Sequence, residues 1–253
     1  MTSAFEHLSP AFPGKAAWGT ASRLRAWQVE ALARYREAAP QDFLCVATPG
    51  AGKTTFALRV ARELLAAGTV KRIIVVAPTE HLKVQWADAA ARVGVQLDPG
   101  LGGSKRGRAR DFDGVAVTYA GVAARMFHYQ ALTSHFKTLV IFDELHHAGD
   151  SKSWGDAISD AFAYATRRLA LTGTPFRSDE SPIPFVTYVE GQGGTRVSRA
   201  DYTYGYAEAL RDNVVRPVLF MNYGGPMRWR TKAGEVMAAD LGSLVTKDVT
   251  SHA

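Results

Sequence analysis

The chain's 253 residues are 47% hydrophobic, enough for one large domain or two small ones with a proper core, which excludes global disorder. Thirty Lys and Arg against 24 Asp and Glu leave a net charge of +6, an excess that suits a polyanionic partner. No apolar run approaches the roughly 18 residues of a membrane span, and residues 1–10 lack the basic start and apolar middle of a secretory signal. A cytoplasmic protein is expected.

In chain order, residues 21–38 form an amphipathic helix with Leu24, Trp27, Ala31 and Leu32 on one face, stopped before Pro40. Apolar runs at 43–48, 72–77, 115–118, 138–143 and 168–172 are strands, continuous in hydrophobicity as strands buried on both faces are. Longer segments at 53–67, 80–93 and 154–165 carry helical periodicity, the first with Phe56, Val60, Leu64 and Leu65 in register and Gly68 as its stop. Strands alternating with helices predict an α/β fold: a mostly parallel sheet with helices on both faces. Residues 177–200, with prolines, glycines and scattered charge, read as a connector with little regular structure. Residues 204–211 form a short helix, and 216–222, with Pro217 near the start, another strand. The lone cysteine, Cys45, lies inside an apolar strand and reads as a buried thiol.

The chemistry concentrates at strand ends. Ala47-Thr48-Pro49-Gly50-Ala51-Gly52-Lys53-Thr54 joins the first strand to a helix, and backbone N–H groups at a helix start attract anions. Gly50 and Gly52 let the backbone curl round a phosphate, Lys53 reaches the β and γ oxygens, and the Thr54 hydroxyl is placed to ligate magnesium. Pro49, Ala51 and Thr55 complete the phosphate-binding set, whose ligand is ATP with magnesium. Ala47 stands where the strict pattern has glycine. The fourth strand ends in Asp143 and Glu144. Asp143 is assigned to magnesium and Glu144 to the attacking water as general base, which makes Glu144, Asp143 and Lys53 the catalytic set.

Six segments in order resemble superfamily-two helicases and translocases of the D-E-x-H type. Leu24-Arg25-Ala26-Trp27-Gln28 resembles the upstream glutamine motif, Ala47 to Thr54 motif I in its A-x-x-G-x-G-K-T form, and Pro78-Thr79-Glu80-His81-Leu82 with Gln85-Trp86 motif Ia. Thr118-Tyr119 is similar to motif Ib, Asp143-Glu144-Leu145-His146 to motif II, and Leu171-Thr172-Gly173-Thr174-Pro175 to motif III. The resemblance implies a RecA-like ATP-binding domain over 21–177, after an extension at 1–20 and before a connector at 178–215; 216–253 would open a truncated second motor domain. It also implies that Gln28 reads adenine with Arg25 beside it, and that His146, Thr172 and Thr174 couple nucleotide state to movement. Thr79, Gln85, Thr118 and Tyr119 would touch a nucleic-acid backbone, DNA before RNA. The family's motif VI, with the arginine that completes catalysis, is not found here, so a second motor domain in cis or trans is an implied partner and the isolated chain is expected to hydrolyse ATP slowly. Two other readings stay open: another class of phosphate-loop ATPase, and an ATP-gated module that grips nucleic acid or protein without turnover.

Two minor features complete the reading. Lys105, Arg106, Arg108 and Arg110 form a basic glycine-rich loop, suited equally to a phosphate backbone and to plain solvation. His146 and His147 near Asp150 match no zinc spacing.

Overall fold

The protein is described by a computed structural model over residues 24–100, 112–146, 152–174, 182–191, 196–217, 226–230 and 236–240. The basic loop, His147 and Asp150, Pro175, the extension at 1–20 and most of 216–222 lie outside these residues. The chain separates into two compact units, 1–216 and 217–253.

The first unit opens with α1 (Ala26–Ala38), β1 (Asp42–Ala47), α2 (Lys53–Ala66), β2 (Arg72–Ala77) and α3 (Glu80–Ala91). It continues with β3 (Leu97–Asp98), β4 (Gly114–Thr118), α4 (Tyr119–Ala123), α5 (Met126–His135), β5 (Thr138–Asp143), α6 (Lys152–Phe162) and β6 (Arg167–Thr172). Beyond these come β7 (Tyr188–Glu190), β8 (Arg196–Ser198), β9 (Tyr202–Tyr204) and α7 (Tyr206–Arg211). Among the described residues, seven strands form one sheet in the order β3-β4-β2-β5-β6-β1-β9, and every described pairing in it is parallel.

Side-chain alternation explains why the strands are apolar throughout. Phe43, Cys45 and Ala47 of β1, Ile73 and Val75 of β2, and Leu139 and Ile141 of β5 point into a core shared with α1, α2, α3 and α7. Leu44 and Val46, Ile74 and Val76, and Val140 and Phe142 point the other way, into a core built with α4, α5 and α6. Both faces are therefore covered, as parallel sheets require. Gly114 is obligatory where β4 meets β2, since a Cβ there would lie 1.8 Å from the Ile73 carbonyl oxygen.

Three features depart from the sequence reading. Residues 119–135 carry α4 and α5, which the hydrophobic periodicity does not announce. Within the expected connector, β7 and β8 pair antiparallel, Val189 opposite Val197. Tyr204 belongs to β9 rather than to the following helix: it pairs with Ala47, and its carbonyl accepts the Thr48 N–H at 3.0 Å. Its ring stacks on Trp27 at 5.1 Å between centroids, with Tyr202 at 6.1 Å, so the alternating tyrosines seal the end of the sheet against α1. The second unit contains an antiparallel pair, β10 (Pro226–Arg230) and β11 (Val236–Asp240).

Candidate functional site

The strand order sets up the site before any side chain is placed. Neighbours β5, β6 and β1 are parallel, so their C-terminal ends lie along one edge of the sheet, where ligands bind in open α/β folds. The end of β1 delivers the loop 48–52, that of β5 delivers Asp143 and Glu144, and that of β6 delivers Thr172, Gly173 and Thr174.

The loop is a backbone cradle held from behind. Gly50 and Gly52 have φ of 78° and 95°, in the left-handed region that favours glycine. The Ala51 N–H closes a turn on the Thr48 carbonyl at 3.1 Å, and α2 starts from Gly52 as its N-cap. Two side chains of α1 fasten it: Trp27 Nε1 donates to the Ala51 carbonyl at 3.1 Å and Gln28 Nε2 to the Gly52 carbonyl at 2.8 Å. A Cβ on Gly52 would lie 2.8 Å from that same Nε2. Pro49 is exposed at the rim and faces Gly173, where a Cβ would come within 3.2 Å of its ring.

Lys53 is buried, and its Nζ donates to the Ala47 carbonyl at 3.1 Å and meets Glu144 Oε1 at 2.9 Å. Thr54 and Thr55 follow on the first turn of α2, half-buried. Glu144 takes a φ of 47°, unusual for a residue with a Cβ, as the chain leaves β5. Its other oxygen accepts the Gly173 N–H at 3.1 Å, so one carboxylate joins all three strand ends. Burial works against its charge, but the Lys53 ammonium, the Gly173 N–H and His146 together hold its carboxyl below the usual range. Asp143 is shifted the other way: burial dominates and the Glu144 charge adds to it, outweighing the Trp86 N–H and Lys53.

His146 Nδ1 lies 3.0 Å from Thr172 Oγ1. That hydroxyl donates its single proton to the Thr174 carbonyl at 2.9 Å and accepts the Thr174 N–H at 3.1 Å. Thr79 caps α3, accepting the Leu82 N–H, and Gln85 stands exposed on the same helix with Nε2 2.9 Å from His81 Nε2.

Two sets of expected site residues also brace the structure. Gln28 is 2% exposed, with Oε1 accepting the Arg25 N–H at 2.7 Å and Nε2 donating to the Gly52 carbonyl, so it braces the loop. Thr118 and Tyr119 are buried: Thr118 Oγ1 caps α4 by accepting the Gly121 N–H, and the Tyr119 hydroxyl donates to the Asp143 carbonyl at 3.0 Å. Their side chains hold strand ends in place. Arg25 sits at the start of α1 with Nη1 buried and, among the described residues, without a hydrogen-bond partner. Sequence reasoning missed three groups that shape the site: the Trp86 indole, whose Nε1 donates to Asp143 Oδ2 at 2.8 Å; the Gly173 N–H; and Tyr204 behind Trp27.

A parallel sheet covered on both faces, with a phosphate loop after β1 and paired acids after β5, defines a RecA-like ATP-binding motor domain of the superfamily-two helicase type. A family profile described as "Type III restriction enzyme, res subunit" matches residues 21–177, and the chain belongs to that family. It is 57% identical over 230 residues to "Uncharacterized protein Rv2917" of Mycobacterium tuberculosis (strain ATCC 25618 / H37Rv), covering 91% of this chain and 38% of that protein. It is 55% identical over 230 residues to "Uncharacterized protein ML1624" of Mycobacterium leprae (strain TN), covering 91% and 39%. The chain thus spans well under half the length of these curated relatives. Among solved structures it is similar to the ATP-dependent Type ISP restriction-modification enzyme LlaBIII bound to DNA, with TM-score 0.52 and 16% identity over 76% of this chain and 15% of that one. It is also similar to a nuclease-deletion mutant of LlaGI, an enzyme of the same type, in complex with a DNA substrate mimic, with TM-score 0.53 and 15% identity over 76% and 21%. At that identity the likeness is one of fold.

Proposed function

We propose that this chain is the motor domain of an ATP-dependent translocase that moves on nucleic acid, DNA in preference to RNA, in the cytoplasm. The observation that carries the proposal is the meeting of Lys53, Glu144 and the Gly173 N–H at the mouth of the Gly50–Gly52 cradle. The residues present fit a magnesium nucleotide. The cradle closes against Gln28 so tightly that only glycine is accepted at position 52, and Arg25, at the start of the bracing helix, keeps a buried donor atom that has no hydrogen-bond partner among the described residues. Bound magnesium would neutralise phosphate charge, held by Thr54 and Asp143.

The chain's own residues do the rest. Lys53 exchanges Glu144 for β and γ phosphate oxygens, two anionic partners that compete for one ammonium. Glu144, released on that side and steadied by Gly173 on the other, accepts a proton from the attacking water. His146 Nδ1 lies 3.5 Å from Glu144 Oε2 and 3.0 Å from Thr172 Oγ1, which in turn bonds Thr174, an arrangement that supports a coupling role for these three residues. Thr79, at the exposed N-cap of α3, and Gln85, exposed midway along the same helix, are assigned to backbone phosphates. We assign the arginine that completes catalysis to a second motor domain, beginning in 217–253 and continuing as the greater length of the relatives suggests.

Calorimetry with ATP and magnesium, followed by phosphate release with and without duplex DNA or RNA, tests this reading. Binding that is unaffected by Lys53→Ala sinks it. Tight binding gated by nucleic acid, with no turnover even when the second motor domain is supplied, favours the binding-module alternative.

A further inference from the structure

We propose that Trp86 is a positioning residue for the carboxylate of Asp143, tying α3 to the end of β5 through its indole N–H. The inference rests on the nucleotide-site reading above. Trp86 is 2% exposed, and a buried indole must satisfy its N–H. Trp27 does so on a main-chain carbonyl, the usual solution, whereas Trp86 donates to Asp143 Oδ2 at 2.8 Å, across 57 positions of sequence. A neutral donor on a carboxylate is a charge-assisted bond, stronger and more directional than one to a carbonyl. It holds one oxygen and thereby sets the direction of the lone pairs left for a cation. The Tyr119 hydroxyl, on the Asp143 carbonyl, fixes the main chain of the same residue but leaves the carboxylate free to rotate. Packing alone would be served by phenylalanine; the placement of this N–H is what phenylalanine lacks.

The helix that carries Trp86 gives the bond a second meaning. Thr79, His81 and Gln85 face outward from α3 while Trp86 faces inward. A shift of α3 caused by a ligand on its outer side would be delivered directly to Asp143.

The test compares the wild-type chain with Trp86→Phe, using the fluorescent nucleotide mant-ADP and titrating magnesium. The variant is expected to bind mant-ADP in EDTA as the wild type does, and to need about tenfold more magnesium for half-maximal tightening, at the low end of what such outer partners contribute to metal affinity. A merely structural tryptophan would weaken both conditions alike or neither, and either outcome overturns the proposal. A wild-type chain that does not bind mant-ADP overturns the nucleotide reading and this inference together; normal magnesium dependence in both proteins overturns only the inference. If Trp86→Phe does not fold, wild-type chain with isotope-labelled tryptophan serves instead. The Trp86 indole resonance, assigned by replacing the other tryptophans in turn, is expected to shift on adding mant-ADP with magnesium but not with EDTA. A resonance that moves in both conditions or in neither overturns the proposal.

Discussion

Lys53 Nζ lies 2.9 Å from Glu144 Oε1, so the cation suited to phosphate oxygens and the carboxylate suited to a water proton are each other's partners in this structure. The pair makes the site self-neutralising. On the function proposed above, a nucleotide would have to break it, and breaking it would arm both groups.

Lys53→Ala removes the buried positive charge that follows the cradle and leaves Glu144 without its principal counter-charge. ATP affinity is expected to fall about 100-fold, or about 2.7 kcal/mol. Isothermal calorimetry checks it, and a change below threefold rejects the role given to this lysine.

Glu144→Gln keeps the shape and can still accept the Gly173 N–H. Binding of ATP is expected to stay within about threefold of wild type while turnover, measured with the second motor domain present, falls by at least about 100-fold. Retained turnover would mean that another group takes the proton.

Gly52→Ala meets two obstacles at once, a φ of 95° and a Cβ 2.8 Å from Gln28 Nε2. Destabilisation by about 1–3 kcal/mol in denaturant unfolding is expected from the backbone strain, together with loss of nucleotide binding. The double variant Gly52→Ala with Gln28→Ala relieves the clash and not the strain, so partial recovery of stability separates the two causes.

Alkaline pH reports on the core. Burial pushes the Cys45 thiol from its ordinary 9.0 up to about 12, and the Tyr35 and Tyr129 hydroxyls from 10.0 up to about 12. Above pH 9 the unfolded chain loses these protons first while the folded chain keeps them. Unfolding free energy therefore falls as pH rises, by up to about 1.4 kcal/mol per pH unit for the thiol from 9 toward 12 and for each tyrosine from 10 toward 12. Urea midpoints at pH 8, 9, 10 and 11 give the slope, and Cys45→Ala is expected to flatten its lower part; a flat wild-type profile would contradict the burial of these groups. Intact protein is also expected to leave Cys45, 0% exposed, unreactive toward thiol reagents until it unfolds.

How much of this was legible in the sequence follows from the range over which each interaction acts. Strands β2 and β5 were readable to the residue, because burial on both faces writes an unbroken apolar run. The loop was readable because its glycines, lysine and following helix are contiguous. Trp86 on Asp143 and Gly173 on Glu144 were not: each joins segments far apart in the chain, and no local pattern records which strand ends become neighbours. The bracing bonds of Gln28 were equally hidden, because its motif names a residue type and not the direction of its amide. Strand β9 is too short for any period to show, and it is recognised only by what it covers.

That last strand decides where the domain can be cut. The family profile ends at residue 177, yet Tyr202–Tyr204 closes the flank of β1 and its final carbonyl takes the first N–H of the phosphate loop. A fragment stopped at 177 would expose a raw strand edge beside an uncovered Trp27, an invitation to aggregate. A fragment that keeps this flank closed must therefore reach the tyrosines at 202 and 204, beyond Leu171–Thr174 at the end of β6.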